Sequence, residues 1–370
     1  DLYEVIDLAF SGNLHLRVST AVRLVATAAP HLARRASPPP EEARLGGRLH
    51  SRRRDAAAIV HHYDVSNDFY RLLLGESLTY SCAVYQQPDQ LLADAQANKY
   101  DLVCRKLDLR PGMRLLDVGC GWGGMALHAA THYGVDVVGI TLSPAQHELA
   151  IARIADSGHT GAVEIRIQDY RDVHDGPFDA ISSIGMVEHV GRAHLDAYCA
   201  RLCQLLTPGG RLLNHGINRQ AVQARPGIAG RATLAAQRVA TAAGSRRTSR
   251  IDSPLMQRYV FPDGELHELG TLVSTLQQNG LEIAHVEGFR AHYALTLRAW
   301  DQNLTAGWDH AVAHVGERRA RIWRFYLVAC ALAFEHGSTE IHQILAVKPD
   351  QAAEPPPLRW IPVDDAGAIW

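Results

Sequence analysis

The chain has 370 residues, 47% of them hydrophobic, enough for one large domain or one domain with an appendage around a substantial core. Lys and Arg number 37 and Asp and Glu 39, a formal net charge of −2, so no global field points to nucleic acid. The six cysteines, at 82, 104, 120, 199, 203 and 330, include no C-x-x-C pair; they read as reduced cytoplasmic thiols, neither a disulfide framework nor a metal site.

Residues 1–33 carry helical periodicity (Leu2, Val5, Ile6, Leu8, Ala9, then Leu16, Val18, Val22, Leu24, Val25) and read as the remnant of a small helical N-terminal domain. Because the chain opens at Asp1, a preceding segment is expected to be missing; no signal peptide is visible. Residues 34–54 read as a linker, with Ser37-Pro38-Pro39-Pro40, Gly46-Gly47 and a solvated tether at Arg52-Arg53-Arg54. From 55 to 350 one catalytic domain is expected. A helix spans 90–108. Strands then alternate with helices: strand 114–118, helix 123–133, strand 136–141, a helix opened by Ser143-Pro144, strands 164–168 and 178–184, helix 193–206, strand 210–215. This order predicts an α/β fold with a doubly wound, mostly parallel sheet. Ser143, Pro144 and Gln146 form a capping box. Residues 218–251 interrupt the pattern as an Ala-, Gly- and Arg-rich insertion. Its seven arginines (219, 225, 231, 238, 246, 247, 250) occur with no acid and no lysine, and suit a solvated basic face, a lid or a patch for phospholipid headgroups. Helices and a final strand pair fill 252–350. The apolar stretch at 323–334 is too short to span a bilayer and reads as a buried helix, so any membrane contact is expected to be peripheral. The tail, 351–370, reads as extended or poorly ordered.

The run Leu115-Leu116-Asp117-Val118-Gly119-Cys120-Gly121-Trp122-Gly123-Gly124 is a strand, a tight glycine turn and a helix start, which lets backbone approach a nucleotide-like ligand closely. Its D-x-G-x-G-x-G spacing differs from the dinucleotide G-x-G-x-x-G and suggests S-adenosylmethionine (SAM). Asp117 can accept from the amine of the methionine moiety. Ligands of such sheets sit outside the carboxyl ends of the strands, so later strand-end residues should converge there. Gly139-Ile140-Thr141-Leu142-Ser143 ends without the acid that often holds ribose; Thr141 and Gln146 are the polar groups available for ribose or the methionine end. In Gln168-Asp169-Tyr170-Arg171, Asp169 can accept from the adenine amine or cap a helix, and Tyr170 can stack on the ring.

These blocks, with His62-Tyr63-Asp64-Val65-Ser66-Asn67-Asp68-Phe69, Thr79-Tyr80-Ser81-Cys82-Ala83, Ala95-Gln96 with Lys99, Gly185-Met186-Val187-Glu188-His189-Val190-Gly191, His215-Gly216-Ile217, Arg258-Tyr259-Val260-Phe261-Pro262-Asp263-Gly264, and His292-Tyr293 with Leu297 and Trp300, resemble the cyclopropane fatty acid synthase family, which includes the mycolic acid cyclopropane synthases. The resemblance runs from about 61 to 349. It implies a SAM-dependent enzyme acting on the cis double bond of a membrane phospholipid acyl chain, with a bicarbonate ion in the site. It also implies a homodimer paired through the N-terminal helical domain. Carried over by position, the bicarbonate would be held by Cys82, Glu188, His215, the backbone at Ile217, and Tyr293, with Tyr80 and Ser81 against the cofactor beside Asp117, Gly119, Cys120, Gly121, Gly123, Thr141, Gln146, Asp169, Tyr170 and Arg171. Singly these residues have ordinary roles: a helix cap for Glu188, core packing for His215, Tyr293 and Cys82. Cys330 matches a family cysteine proposed as catalytic, yet sits in an apolar helix where a thiol is normally inert.

The chemistry suits that set. An alkene is a weak nucleophile and must meet the SAM methyl in line with water excluded. Methyl transfer puts positive charge on the acyl chain, which calls for an apolar, aromatic pocket. Ring closure then needs a base that is not itself alkylated. Relatives that lose a different proton give a methylene branch, which a flavoprotein partner reduces to a methyl branch. The long basic insertion departs from a plain cyclopropane synthase. A degenerate lipid-binding scaffold and a methyltransferase for a soluble metabolite are the remaining alternatives.

Overall fold

The computed structural model describes residues 1–10, 39, 41–43, 45–63, 66–221 and 254–350. Its centre is an eight-stranded sheet. Strands β1 (Arg114–Val118), β2 (Asp136–Thr141), β3 (Val163–Ile167), β4 (Phe178–Ile184) and β5 (Leu206–Arg219) are mutually parallel. β7 (Glu282–Gly288) and β8 (Thr339–Val347) extend the sheet in the order β3-β2-β1-β4-β5-β8-β7, and the two-residue β6 (His267–Glu268) pairs the far end of β5. β8 runs antiparallel to both neighbours, so the expected final strand pair forms the mixed edge of a doubly wound sheet.

β1 forms because Leu115, Leu116 and Val118 have a buried place on each face of the sheet. One face is covered by α7 (Leu195–Leu205) and α9 (Leu269–Gln278), through Tyr198, Leu202, Leu272 and Leu276. The other is covered by α4 (Leu92–Lys106), α5 (Gly124–Tyr133) and α6 (Pro144–Ser157), through Val103, Met125, Ala129 and Ile154. β5 is longer than the expected 210–215 and takes in the first residues of the stretch read as an insertion. Its backbone from Arg211 to Arg219 is paired residue by residue with β8, a long-range ladder that the local pattern does not announce. The rest of that stretch, 222–251, lies outside the described residues, as do 11–33 and 351–370. Half of the capping box forms at α6: Ser143 accepts from the Gln146 amide, but Gln146 turns its side-chain oxygen to the Thr141 hydroxyl instead of back to Ser143.

A third, aromatic-rich core sits over the carboxyl edge of the sheet. It joins α3 (Asn67–Leu74), α10 (Arg290–Ala306), α11 (Trp308–Val315) and α12 (Glu317–Glu335), and includes Phe69, Tyr70, Trp122, Trp300 and Trp323. The 323–334 stretch is helical as expected, as part of α12, and mostly buried, with Phe325 exposed. α1 (Leu2–Phe10) packs Ile6 against Val328 and Leu332 of α12. Arg52–Arg54 open α2 (Arg52–Tyr63) instead of hanging as a tether, because two of them have partners: Arg52 pairs with Asp172, and Arg54 with Asp263. Among the described residues no helix is long and apolar enough to cross a membrane.

Candidate active site

The glycine turn after β1 carries Gly119, Gly121 and Gly123 at φ of +78°, +55° and +77°, a backbone path closed to most side chains. It opens a first cavity, with about 1330 Å³ of empty space including its mouth, lined by Asp117, Gly119, Cys120, Gly121, Thr141, Gln146, Asp169, Tyr170, Arg171, Tyr80 and Ser81. Gly123 does not line it. That residue faces α6, and a Cβ there would lie 3.4 Å from the Ala150 Cβ, so its role is helix packing.

Each polar group here has a defined neighbour. Ser182, beside Asp117 in the β1–β4 register, donates to Asp117 Oδ1 at 2.7 Å; Oδ2 is buried without a protein partner. Burial pushes the Asp117 carboxyl up to about 6, against the pull of the Ser182 hydrogen bond and of Lys99. Thr141 donates to Gln146 Oε1 at 2.7 Å, so these two act as one unit. Asp169 caps the 3₁₀ turn Tyr170–Asp172 and also borders the cavity, so the cap and the cavity-wall readings hold together. Burial alone would raise its carboxyl, but the hydrogen bonds from Arg171 outweigh it and hold the group below the usual range. Arg171 also reaches Asp55 at 3.1 Å. Tyr170 meets Tyr198 edge to face at 5.2 Å between centroids.

A second cavity, of about 900 Å³ on the same basis, adjoins the first; Tyr63, Tyr80, Ser81, Gly185 and His189 line both. It brings together all six residues expected to hold the anion or act beside it: Cys82, Glu188, His215, Ile217, Tyr293 and Cys330. They come from separate elements: Glu188 from the 3₁₀ turn Val187–His189 after β4, His215 and Ile217 from β5, Tyr293 from α10, Cys330 from α12. Glu188 Oε1 accepts from the Ile217 amide at 2.7 Å, while Oε2 is buried without a protein partner. Burial pushes the Glu188 carboxyl up to about 7, opposed by that amide. His215 is 1% exposed, takes Gln343 Nε2 at 3.2 Å on its Nδ1, and leaves Nε2 buried without a protein partner. Burial, with the charges of Lys99 and Lys106, drives its pKa well below that of a free imidazole, so the ring is neutral. Burial raises the Tyr293 hydroxyl and the Cys82 thiol, which donates to the Ala83 carbonyl at 3.2 Å. It also pushes Cys330 up to about 12, which favours the neutral thiol. Tyr63, Tyr80, Phe261, Tyr326 and Phe334 give an aromatic part of the remaining wall, and Met256, Leu266, Ile341, Gln257 and Glu265 also line it.

Lys99 is the residue whose role the sequence reading left blank. It is 1% exposed, lines the first cavity, and donates to Ser81 Oγ at 3.1 Å. Burial brings its amine down to about 7, although Asp117 favours the charge. The signal was present: Lys99 stands three after Gln96 and four before Val103, on the buried face of α4. No cluster of three or more metal-ligating side chains occurs among the described residues.

The chain matches a family model described as mycolic acid cyclopropane synthetase over residues 50–344. It is 45% identical over 320 residues to a probable fatty acid methyltransferase, Rv3720, of Mycobacterium tuberculosis, covering 85% of this chain and 69% of the relative. It is 46% identical over 312 residues to a probable fatty acid methyltransferase of Pseudomonas putida, covering 84% and 73%. The solved mycolic acid cyclopropane synthase CmaA1, complexed with SAH and CTAB, superposes with a TM-score of 0.69 at 32% identity, over 79% of this chain and 98% of that one. With the glycine turn, the sheet order and the model match in agreement, the chain belongs to the mycolic acid cyclopropane synthetase family and is a SAM-dependent methyltransferase.

Proposed function

We propose that this enzyme moves the methyl group of SAM onto the cis double bond of a phospholipid acyl chain to give a cyclopropane fatty acid, with a bicarbonate ion held between Glu188, His215, Tyr293, Cys82 and the Ile217 backbone. Family membership supports SAM-dependent methyl transfer to unsaturated fatty acyl chains. The observation that carries the finer reading is the pair of buried polar atoms, Glu188 Oε2 and His215 Nε2, both without a protein partner and both on residues that line the one cavity adjoining the first. Orphaned buried polar groups are costly, and a small hydrogen-bonding ligand between them removes that cost.

In this reading the first cavity takes SAM, with Asp117 Oδ2 accepting from its amine and Tyr80 and Ser81 at the boundary with the second. The acyl chain lies in the second. Its aromatic walls exclude water, which would trap the carbocation, and turn ring faces to the positive charge. Glu188 and His215 orient the anion, and Tyr293 donates to it. Bicarbonate bound there supplies a base that the methyl donor does not consume.

A second reading gives a methylene- or methyl-branched acyl chain with a flavin-dependent reductase as partner. What favours it is that both relatives at 45% and 46% identity bear the broader name of fatty acid methyltransferase. In both readings the enzyme works as a homodimer on the cytoplasmic surface of a membrane. Mass spectrometry of lipids from cells expressing the chain is the test. Unsaturated phospholipid chains should gain the mass of one CH₂, and NMR of the product should show a ring. A branched product would select the second reading, and unaltered lipids would refute both.

A further inference from the structure

A row of polar residues behind His215 has no part in binding SAM or lining the acyl cavity. His215 on β5 stands opposite Gln343 on β8, and Gln343 stands opposite Glu287 on β7, so the three share one face of the sheet. Lys106, the last residue of α4, lies on this row. Its Nζ donates to Gln343 Oε1 at 2.7 Å and to Glu287 Oε2. Lys106 is 1% exposed and Gln343 fully buried. The Lys106 charge also sits 5.2 Å from the centre of the Phe289 ring, which stacks on His215 at 5.9 Å.

The donor and acceptor inventory makes this row directional. An ammonium has donors only, so Gln343 must turn its oxygen to Lys106. Its amide nitrogen then points at His215 Nδ1 and donates. A ring nitrogen that accepts carries no proton, so a neutral His215 carries its proton on Nε2. That is the ring atom this cavity-lining residue leaves without a protein partner. The opposite orientation of Gln343 would put its oxygen against Nδ1 and its NH₂ against an ammonium. The proton would then move to Nδ1, and a lone pair at Nε2 would face the anion.

We propose that Lys106 and Gln343 are positioning residues that lock His215 in the Nε2–H tautomer, so that the cavity is offered a hydrogen-bond donor at that point. The purpose of the lock rests on the anion reading above; the tautomer itself does not. Glu287, half-buried at the sheet edge, anchors the Lys106 charge.

The test is the ¹⁵N spectrum of the full chain labelled at histidine, recorded without SAM, lipid or bicarbonate, with His215→Gln used to assign the signal. The wild-type ring should show Nε2 protonated and Nδ1 bare. Gln343→Glu, nearly the same shape, presents only acceptors and should move the proton to Nδ1. Turnover should then fall more than tenfold, with the SAM dissociation constant within about twofold. If Gln343→Glu does not fold, Gln343→Met replaces it, and both tautomers should then appear. A wild-type ring protonated at Nδ1, or a tautomer indifferent to the Gln343 substitution, would overturn the proposal. Titration with bicarbonate separates the two readings. A shift of the Nε2 signal supports the anion site; an unmoved signal rejects the anion while the tautomer result stands.

Discussion

At the scale of single residues, two buried carboxyls, Asp117 and Glu188, cost stability. Glu188 has its carboxyl raised to about 7 by burial. Below the ordinary glutamate range both folded and unfolded chains hold the proton, and the residue is neutral to stability. Between that range and about 7 only the folded chain holds it, so stability falls as pH rises through this window. The full cost, on the order of 3 kcal/mol, is present above it. Glu188→Gln keeps an oxygen for the Ile217 amide and removes the ionisation. Denaturant titrations should therefore show the variant more stable than the wild type near pH 8, with the difference vanishing near pH 4. If the proposed anion site holds, the same change should lower lipid methylation by about 100-fold with SAM affinity within threefold, since Glu188 lines the second cavity and not the first. Near-normal turnover would remove Glu188 from the machinery. Asp117→Asn makes the reverse pattern: SAM binding, followed by calorimetry, should weaken at least tenfold, the scale of a hydrogen bond to a charged group.

At the scale of elements, the site depends on how tightly β5 runs beneath the Val187–His189 turn. Gly216 lies there, and a Cβ on it would come within 2.5 Å of Val187 Cγ1 and 3.8 Å of Glu188 Oε1. Gly216→Ala must push the turn outward. Overpacking of this kind costs about 1–3 kcal/mol, and the Glu188–Ile217 hydrogen bond should loosen. Chemical denaturation should show that loss, with a fall in turnover larger than any change in SAM affinity. This close packing explains what was legible in the sequence. The strands β1, β2 and β4 and the glycine turn announce themselves by local period and by residues that only a turn requires. Glu188 and His215 are visible as residues near the ends of successive strands. The Lys106–Gln343–His215 row is not visible, because its members lie 237 and 128 positions apart and meet only through the register of β5 with β8. For Gly123 the positive φ is readable in the sequence, but the helix it faces is a tertiary fact.

At the scale of the whole molecule, both cavities open along the carboxyl edge of the sheet, and residues that follow the basic stretch line the second. The chain leaves the sheet after Arg219 at the end of β5 and returns as α8 (Pro254–Tyr259), where Met256 and Gln257 line the second cavity. The arginines between, at 225, 231, 238, 246, 247 and 250, lie outside the described residues. With a formal net charge of only −2, the molecule as a whole has little attraction for an anionic bilayer. Six positive charges on one stretch of chain would supply it locally, at up to about 1 kcal/mol for each arginine that reaches the surface. Replacing the six with serine should therefore weaken binding to phosphatidylglycerol-containing vesicles at least tenfold at low salt. The difference should shrink as salt shortens the screening length towards about 3 Å near 1 M. Turnover on a detergent-dispersed lipid should stay near the wild-type value, because none of the candidate site residues is among the six replaced. Equal vesicle binding by the two proteins at low salt would assign the stretch no part in reaching the membrane.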